Sequence, residues 1–125
     1  MKALILAATC VALAACTSAA RKKYEASVEC AANEYARHAF IDQSYDPDQM
    51  FEEDGKAWRG LHASVWANAR VLNIAPERVQ RNIAERVSAF RAKRMAPDSD
   101  VGVLVQDVFK KSSDCVKRFG DGRGD

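Results

Sequence analysis

The stretch 101–119, VGVLVQDVFKKSSDCVKRF, decides the fold class. Val101, Leu104, Val105, Val108, Ser112, Cys115, Val116 and Phe119 recur at intervals of three and four, so a helix places them on one face along its whole length. Asp98 and Asp100 sit at its start, Lys117 and Arg118 at its end, and Gly120 follows as a stop. That is the order of charges a helix dipole favours, closed by the residue that best ends a helix. Cys115 therefore faces inward. One amphipathic helix cannot bury its own stripe, so the remaining chain must supply helices to cover it.

Working outward, Pro47, Pro76 and Pro97 fall at expected boundaries, β-branched alternation is scarce and no internal repeat is present. The segment before the opening stretch, about Pro76 to Met95, carries Val79, Ile83, Val87 and Phe90 as a stripe in an arginine-rich sequence. The segment before that starts where Asp46 can cap, with Pro47 at the first helical position and Gln49 placed to complete a capping box. Phe51, Trp58, Leu61, His62, Val65, Ala69 and Leu72 share its face, and Asn73 is its left-handed stop. Unbroken from Pro47 to Asn73 it would span about 40 Å against about 30 Å for the next helix, which predicts a break near Gly55. The first segment runs from about Ala19 to Ile41, with Tyr24, Val28, Ala31, Ala32, Tyr35 and Ala39 in register. Cys30 and Phe40 fall off that stripe, so this helix is expected to touch partners on two sides. Short loops then give an all-α, four-helix antiparallel bundle, up-down-up-down, in residues 24–119, with 120–125 as a flexible tail.

The N-terminus reads differently. Met1-Lys2 supplies a positive start, Ala3 to Ala15 an apolar run, and Leu13-Ala14-Ala15-Cys16 its end. That run is about 13 residues, short of the roughly 20 that span a bilayer, and Arg21-Lys22-Lys23 blocks its extension. Leu13-Ala14-Ala15-Cys16 resembles the lipobox of bacterial lipoprotein signal peptides. The resemblance implies removal of residues 1–15, a lipidated Cys16 as the first mature residue and a tether over 16–23. Diacylglyceryl and acyl chains on one residue anchor well beyond the marginal single-chain regime. Thr17 rather than aspartate at the next position implies, in enteric bacteria, transfer to the outer membrane facing the periplasm. Ordinary secretion with cleavage after Ser18-Ala19-Ala20 is the alternative.

Cys30 and Cys115 then remain in an oxidising compartment, where one disulfide is the natural reading and two buried thiols the other. Their distance in sequence lacks the spacing of a redox or haem motif. The chain has 19 basic and 17 acidic residues; without Lys2 the basic count is 18, which makes nucleic acid an unfavoured partner. The charge is unevenly placed. Asp42 to Asp54 holds six acids and no base, whereas Arg70 to Arg94 holds seven bases against Glu77 and Glu85. Solvated helix faces explain both runs as well as a polar molecule does.

Asp42, Ser44, Asp46, Asp48 and Glu53 stand at positions one, three, five, seven and twelve of a loop, the spacing of a calcium-binding EF-hand. The glycine that such a loop needs at its sixth position is replaced by Pro47, whose fixed φ forbids the turn. The loop is left as a weak, irregular calcium alternative, and no resident metal or cofactor is expected. Glu52, Glu53 and Asp54 include potential general acids, and His62 and His38 potential ligands, but no nucleophile elbow, zinc motif or phosphate loop accompanies them. A non-enzymatic protein is expected. Trp58 and Trp66 are eight residues apart, about 80° around a helix, so one can be core while the other sits on a rim and meets a partner. The expectation is a lipid-anchored envelope module, bound to the membrane by its anchor. It would bind a protein or envelope component through Trp66 and Arg78, Arg86, Arg91 and Arg94. An inhibitor, an immunity factor and an envelope-maintenance accessory all suit that build, and a structural lipoprotein without a specific ligand is the alternative.

Overall fold

The computed structural model describes the backbone of residues 2–41 and 55–122 and the side chains of 16–38 and 59–122. Four helices fill those segments: α1 Lys2–Ile41, α2 Gly55–Val71, α3 Pro76–Met95 and α4 Val101–Phe119. α1 starts well before the expected Ala19, because Ala3 to Ala20 holds strong helix formers and nothing that breaks a helix. Residues 16–23 are part of that helix. Packing begins at Tyr24, the first fully buried side chain along the described part of α1.

Each boundary has a local cause. α2 ends as expected at Asn73, whose φ of 52° is left-handed. The Ile74 amide donates to the Ala69 carbonyl at 3.0 Å and the Asn73 amide to Arg70 at 3.1 Å, the two bonds of a Schellman motif. α3 begins with Pro76 after an extended Ala75, where a missing N–H costs nothing. α4 is capped by Asp100, which accepts from the Val103 amide at 3.2 Å. Its other end is Phe119, with Gly120 following as the expected stop. Gly120 stays right-handed at φ −66°, and the left-handed glycine is Gly122. Gly120 is close-packed against Gly60: a Cβ on Gly60 would collide with the Gly120 carbonyl. Gly122 packs beside Ala63, so 120–122 is a turn seated on α2, and residues 123–125 lie outside the described set.

Helix directions alternate, as the bundle reading requires. Cys30 pairs with Cys115 and Asn33 meets Val108, so α1 and α4 run antiparallel; Tyr24 meets Asn82 and Glu29 meets Arg86, so α1 and α3 run parallel. The arrangement is nonetheless not a square. α1 packs against all three other helices, α2 also meets α4, and α3 and α4 scarcely touch. Two clusters share α1 between them. Tyr24, Val28, Ala31 and Ala32 meet Val65, Ala69, Val79 and Ile83 on one side. Cys30 meets Leu61, Cys115 and Phe119 on the other. Each fully buried Val or Leu of this kind contributes about 1.5–3 kcal/mol. The Cys30–Cys115 disulfide, with its Cα atoms 5.5 Å apart, joins first and last helices.

Polar residues line the α1–α4 seam. Ser112 donates to the buried Glu34 carboxylate at 2.8 Å, Arg37 Nε donates to its other oxygen at 2.7 Å, and Asn33 donates to the Val108 carbonyl at 3.0 Å. These bonds explain a serine inside an apolar stripe: it faces a carboxylate that burial would otherwise penalise. Val101 and Val116, expected on the inward face, are 45% and 36% exposed. Asn33 lies opposite Val108, so α1 runs out within about two turns of that point, and Val101 meets its end; Val116 lies on the edge of the stripe.

Candidate functional site

Because α3 and α4 lean on α1 and not on each other, a groove of about 450 Å³ opens between them. Ala32 and Ala36 of α1 and Ala89 and Phe90 of α3 give it an apolar floor. Alanines on both helices let an incoming backbone come close, and among the described residues Phe90 supplies the one large apolar surface lining the groove. Polar side chains stand around that floor: Glu29 and Asn33 from α1, Arg86 and Lys93 from α3, and Lys111 from α4.

Glu29 organises the mouth of the groove. Arg86 Nε donates to its Oε1 at 2.7 Å and Lys111 Nζ to its Oε2 at 3.0 Å, so one carboxylate ties α1 to both flanking helices. Arg86 also donates to Glu25, and its Nη1 reaches the Asn82 carbonyl at 3.4 Å, while Asn82 donates to the Tyr24 hydroxyl at 2.8 Å. Partial burial pushes the Glu29 carboxyl up, but hydrogen bonds from Lys111 and Arg86 outweigh it and hold the group below its ordinary value. Burial likewise opposes the Arg86 charge, and Glu29 and Glu25 outweigh that, which raises its pKa further. The Glu29 carboxylate therefore stays ionised and is a poor proton donor. Arg86 and Lys111 are balanced by Glu25 and Glu29, whereas Lys93 has no ion pair among the described residues. The groove can therefore hold an apolar group that carries negative charge.

The expected partner residues divide. Arg86 is turned inward, committed to Glu25 and Glu29, because those acids are four apart on α1 and present one face to α3. Arg91 is exposed and does not line the groove, and Arg94, half-exposed, lies in the last turn of the same helix. Arg78 lies toward the other end of α3, against a second cavity of about 490 Å³ that Arg21 and Asn73 also line. Trp66 is half-buried against the core rather than presented outward, and its Nε1 donates to the His62 ring at 3.1 Å, with ring centroids 5.7 Å apart. Burial pushes the His62 pKa down. His38 is buried beside Arg37, whose Nη2 is 3.0 Å from its Nε2. Cys16 is exposed and unpaired, on a length of α1 ahead of the first buried residue. The Trp58 side chain, Glu52 and the Asp42–Glu53 calcium spacing lie outside the described residues. Among those described, no three His, Cys, Asp or Glu side chains gather as metal ligands would, and no helix is long and apolar enough to cross a membrane.

Lys93, Lys111 and Glu29 are groove residues that sequence reasoning missed, as is Glu25, which pairs with Arg86 beside the second cavity. A signal existed for two of them: Glu29 adjoins Cys30 and Lys111 is one turn before Cys115, so the disulfide itself brings the pair into reach. Nothing in the spacing marks Lys93. The chain matches no protein-family model, and comparison with curated proteins and with solved structures returns no match.

Proposed function

We propose that this protein is a lipid-anchored, non-enzymatic binding module of the bacterial cell envelope. It is held at the membrane through Cys16 and takes an acidic, apolar segment of an envelope protein into the groove between α1, α3 and α4. The groove carries the reading: its floor is alanine and phenylalanine, and Lys93 at its edge is a cation that no described carboxylate balances. The anchor is supported by Leu13-Ala14-Ala15-Cys16 and by the sorting of the described cysteines, with Cys30 and Cys115 bonded and Cys16 free and exposed. Tethering raises the effective concentration of a weak site toward partners at the same membrane, so a shallow groove suffices. The outer membrane, facing the periplasm, is the assigned location because Thr17 follows the cysteine.

Recovery of partners from envelope extracts by the wild type and by a Lys93→Glu variant tests the groove. Lys93 is exposed and makes no ion pair among the described residues, so it is changed, and Arg86 is left alone because it holds α3 to α1. A partner captured by the wild type and lost by the variant is expected. A partner retained equally by both refutes the groove. No partner with either protein favours a lipoprotein whose bundle holds position and binds little.

A further inference from the structure

We propose that the end of the bundle formed by Arg21 to Lys23, the turn between α2 and α3, and Arg78 is a seat on an anionic phospholipid surface, which fixes how the domain stands on its membrane. The inference rests on the lipid anchor at Cys16 and adds to it a second, electrostatic contact from elsewhere in the chain. Three observations point the same way. Arg21 of α1, Asn73 to Ala75 of the turn and Arg78 of α3 line one cavity, so elements far apart in sequence meet at the end from which Cys16 emerges. Arg21, Lys22, Lys23, Arg70 and Arg78 are all exposed, and no ion pair among the described residues involves them. Of the described acids toward that end, Glu25 is already paired with Arg86, and Glu77 and Asp121 are exposed. Between these bases Val71 is 70% exposed at the tip, an apolar side chain where an interface accepts one.

The distances fit a headgroup layer. As a helix, Arg21 lies about 7–8 Å along the axis from Cys16, close to the roughly 5–8 Å depth of one leaflet's polar region. Acyl chains on Cys16 then leave Arg21 to Lys23 among phosphates and bring Arg70, Val71 and Arg78 down beside them. The opposite end, where α3 turns into α4, carries Asp98 and Asp100. An anionic leaflet therefore draws the Arg21, Arg70 and Arg78 end toward it, while at the far end Asp98 and Asp100 offset Lys93 and Arg94.

The test uses the full, membrane-extracted protein reconstituted into vesicles of phosphatidylcholine alone or with phosphatidylglycerol. Exposed arginines are modified with phenylglyoxal and read by mass spectrometry, and the intact mass reports acylation. Modification of Arg70 and Arg78 should fall by about fivefold in the anionic vesicles, the weight of one base at such a surface, while Arg91 is unchanged. About 1 M salt, with a screening length near 3 Å, should remove the protection. Equal modification of Arg70 and Arg78 in both vesicle types overturns the proposal, as does protection of Arg91 to the same extent as Arg78. An intact mass without acyl chains overturns the anchor instead. Protection that persists in that unacylated chain leaves the basic seat standing, so the two failures are distinguishable.

Discussion

Removing the Cys30–Cys115 bond should take away much of the stability of this domain. The bond spans 85 residues, and the chain-entropy model gives about 4–5 kcal/mol for a loop of that length. Domains of this size are stable by about 5–15 kcal/mol in total, so the loss is a large share. Urea unfolding followed by helical circular dichroism measures it. With an m value of about 1–2 kcal/mol/M, the midpoint of the reduced protein should lie about 2–4 M below that of the oxidised protein. A Cys30→Ala, Cys115→Ala variant should match the reduced wild type or fall about 1 kcal/mol below it, because both sulfurs pack against Leu61 and Phe119. That variant should not respond to reductant. A difference under about 1 kcal/mol between oxidised and reduced protein refutes the argument that the unfolded chain is held by this loop. Failure to recover a linked Cys30–Cys115 peptide without reductant refutes the bond itself.

Gly60→Ala should cost about 1–3 kcal/mol in the same unfolding assay, since the new Cβ meets the Gly120 carbonyl and backbone must move; an unchanged midpoint would show that α2 and the end of α4 do not approach this closely. Leu61→Ala, at a fully buried position, should cost about 2–4 kcal/mol, and a cost below about 1 kcal/mol would place Leu61 outside the core. Glu29 titrates below its ordinary value of 4.5 in the fold, so as pH falls the unfolded chain takes up the proton first. Its contribution is therefore present above about pH 4.5 and lost as the pH drops through the lowered pKa. Glu29→Gln should be less stable than wild type by about 0.5–1 kcal/mol at neutral pH, a small figure because the side chain is 47% exposed, and the gap should close in acid. A gap that is constant with pH would mean that the Arg86 and Lys111 contacts do not depend on the carboxylate charge.

The helices were legible because each leaves a local mark. Pro76, Asn73 and Asp100 act through their own backbone geometry or capping chemistry, and each sits where that chemistry places it. The inward side of α4 was legible too, in Val108, Ser112, Cys115 and Phe119. How far that burial extends was not. Periodicity tells which side of a helix faces in, whereas Val101 is exposed because of where α1 runs out, a property of the partner. Gly120 shows the same limit at smaller scale: its position after the last stripe residue suits a left-handed cap, and what demands a glycine is the backbone of α2 at Gly60.

The candidate site was less legible, since a groove is a place where two helices fail to meet. Arg78, Arg86 and Arg91 look alike along the sequence of α3. They differ only through α1, which puts Glu25 and Glu29 against Arg86 and leaves the other two facing water. The same helix gives the groove its alanine floor, holds one half of the disulfide and leads out to Cys16. The residues from Cys16 onward, the cross-link and the floor thus share one helix, and a domain anchored at Cys16 would not swing freely about that point. Breaking the helix between Cys16 and Tyr24, for example with Ala20→Pro, would uncouple the domain from that point while leaving the packed residues after Tyr24 in place. If stance on the membrane matters to what the groove captures, that substitution should weaken capture of the partner as much as a charge reversal at Lys93 does. It should do so without lowering the urea midpoint, and a variant that captures normally would show that the anchor merely tethers the domain.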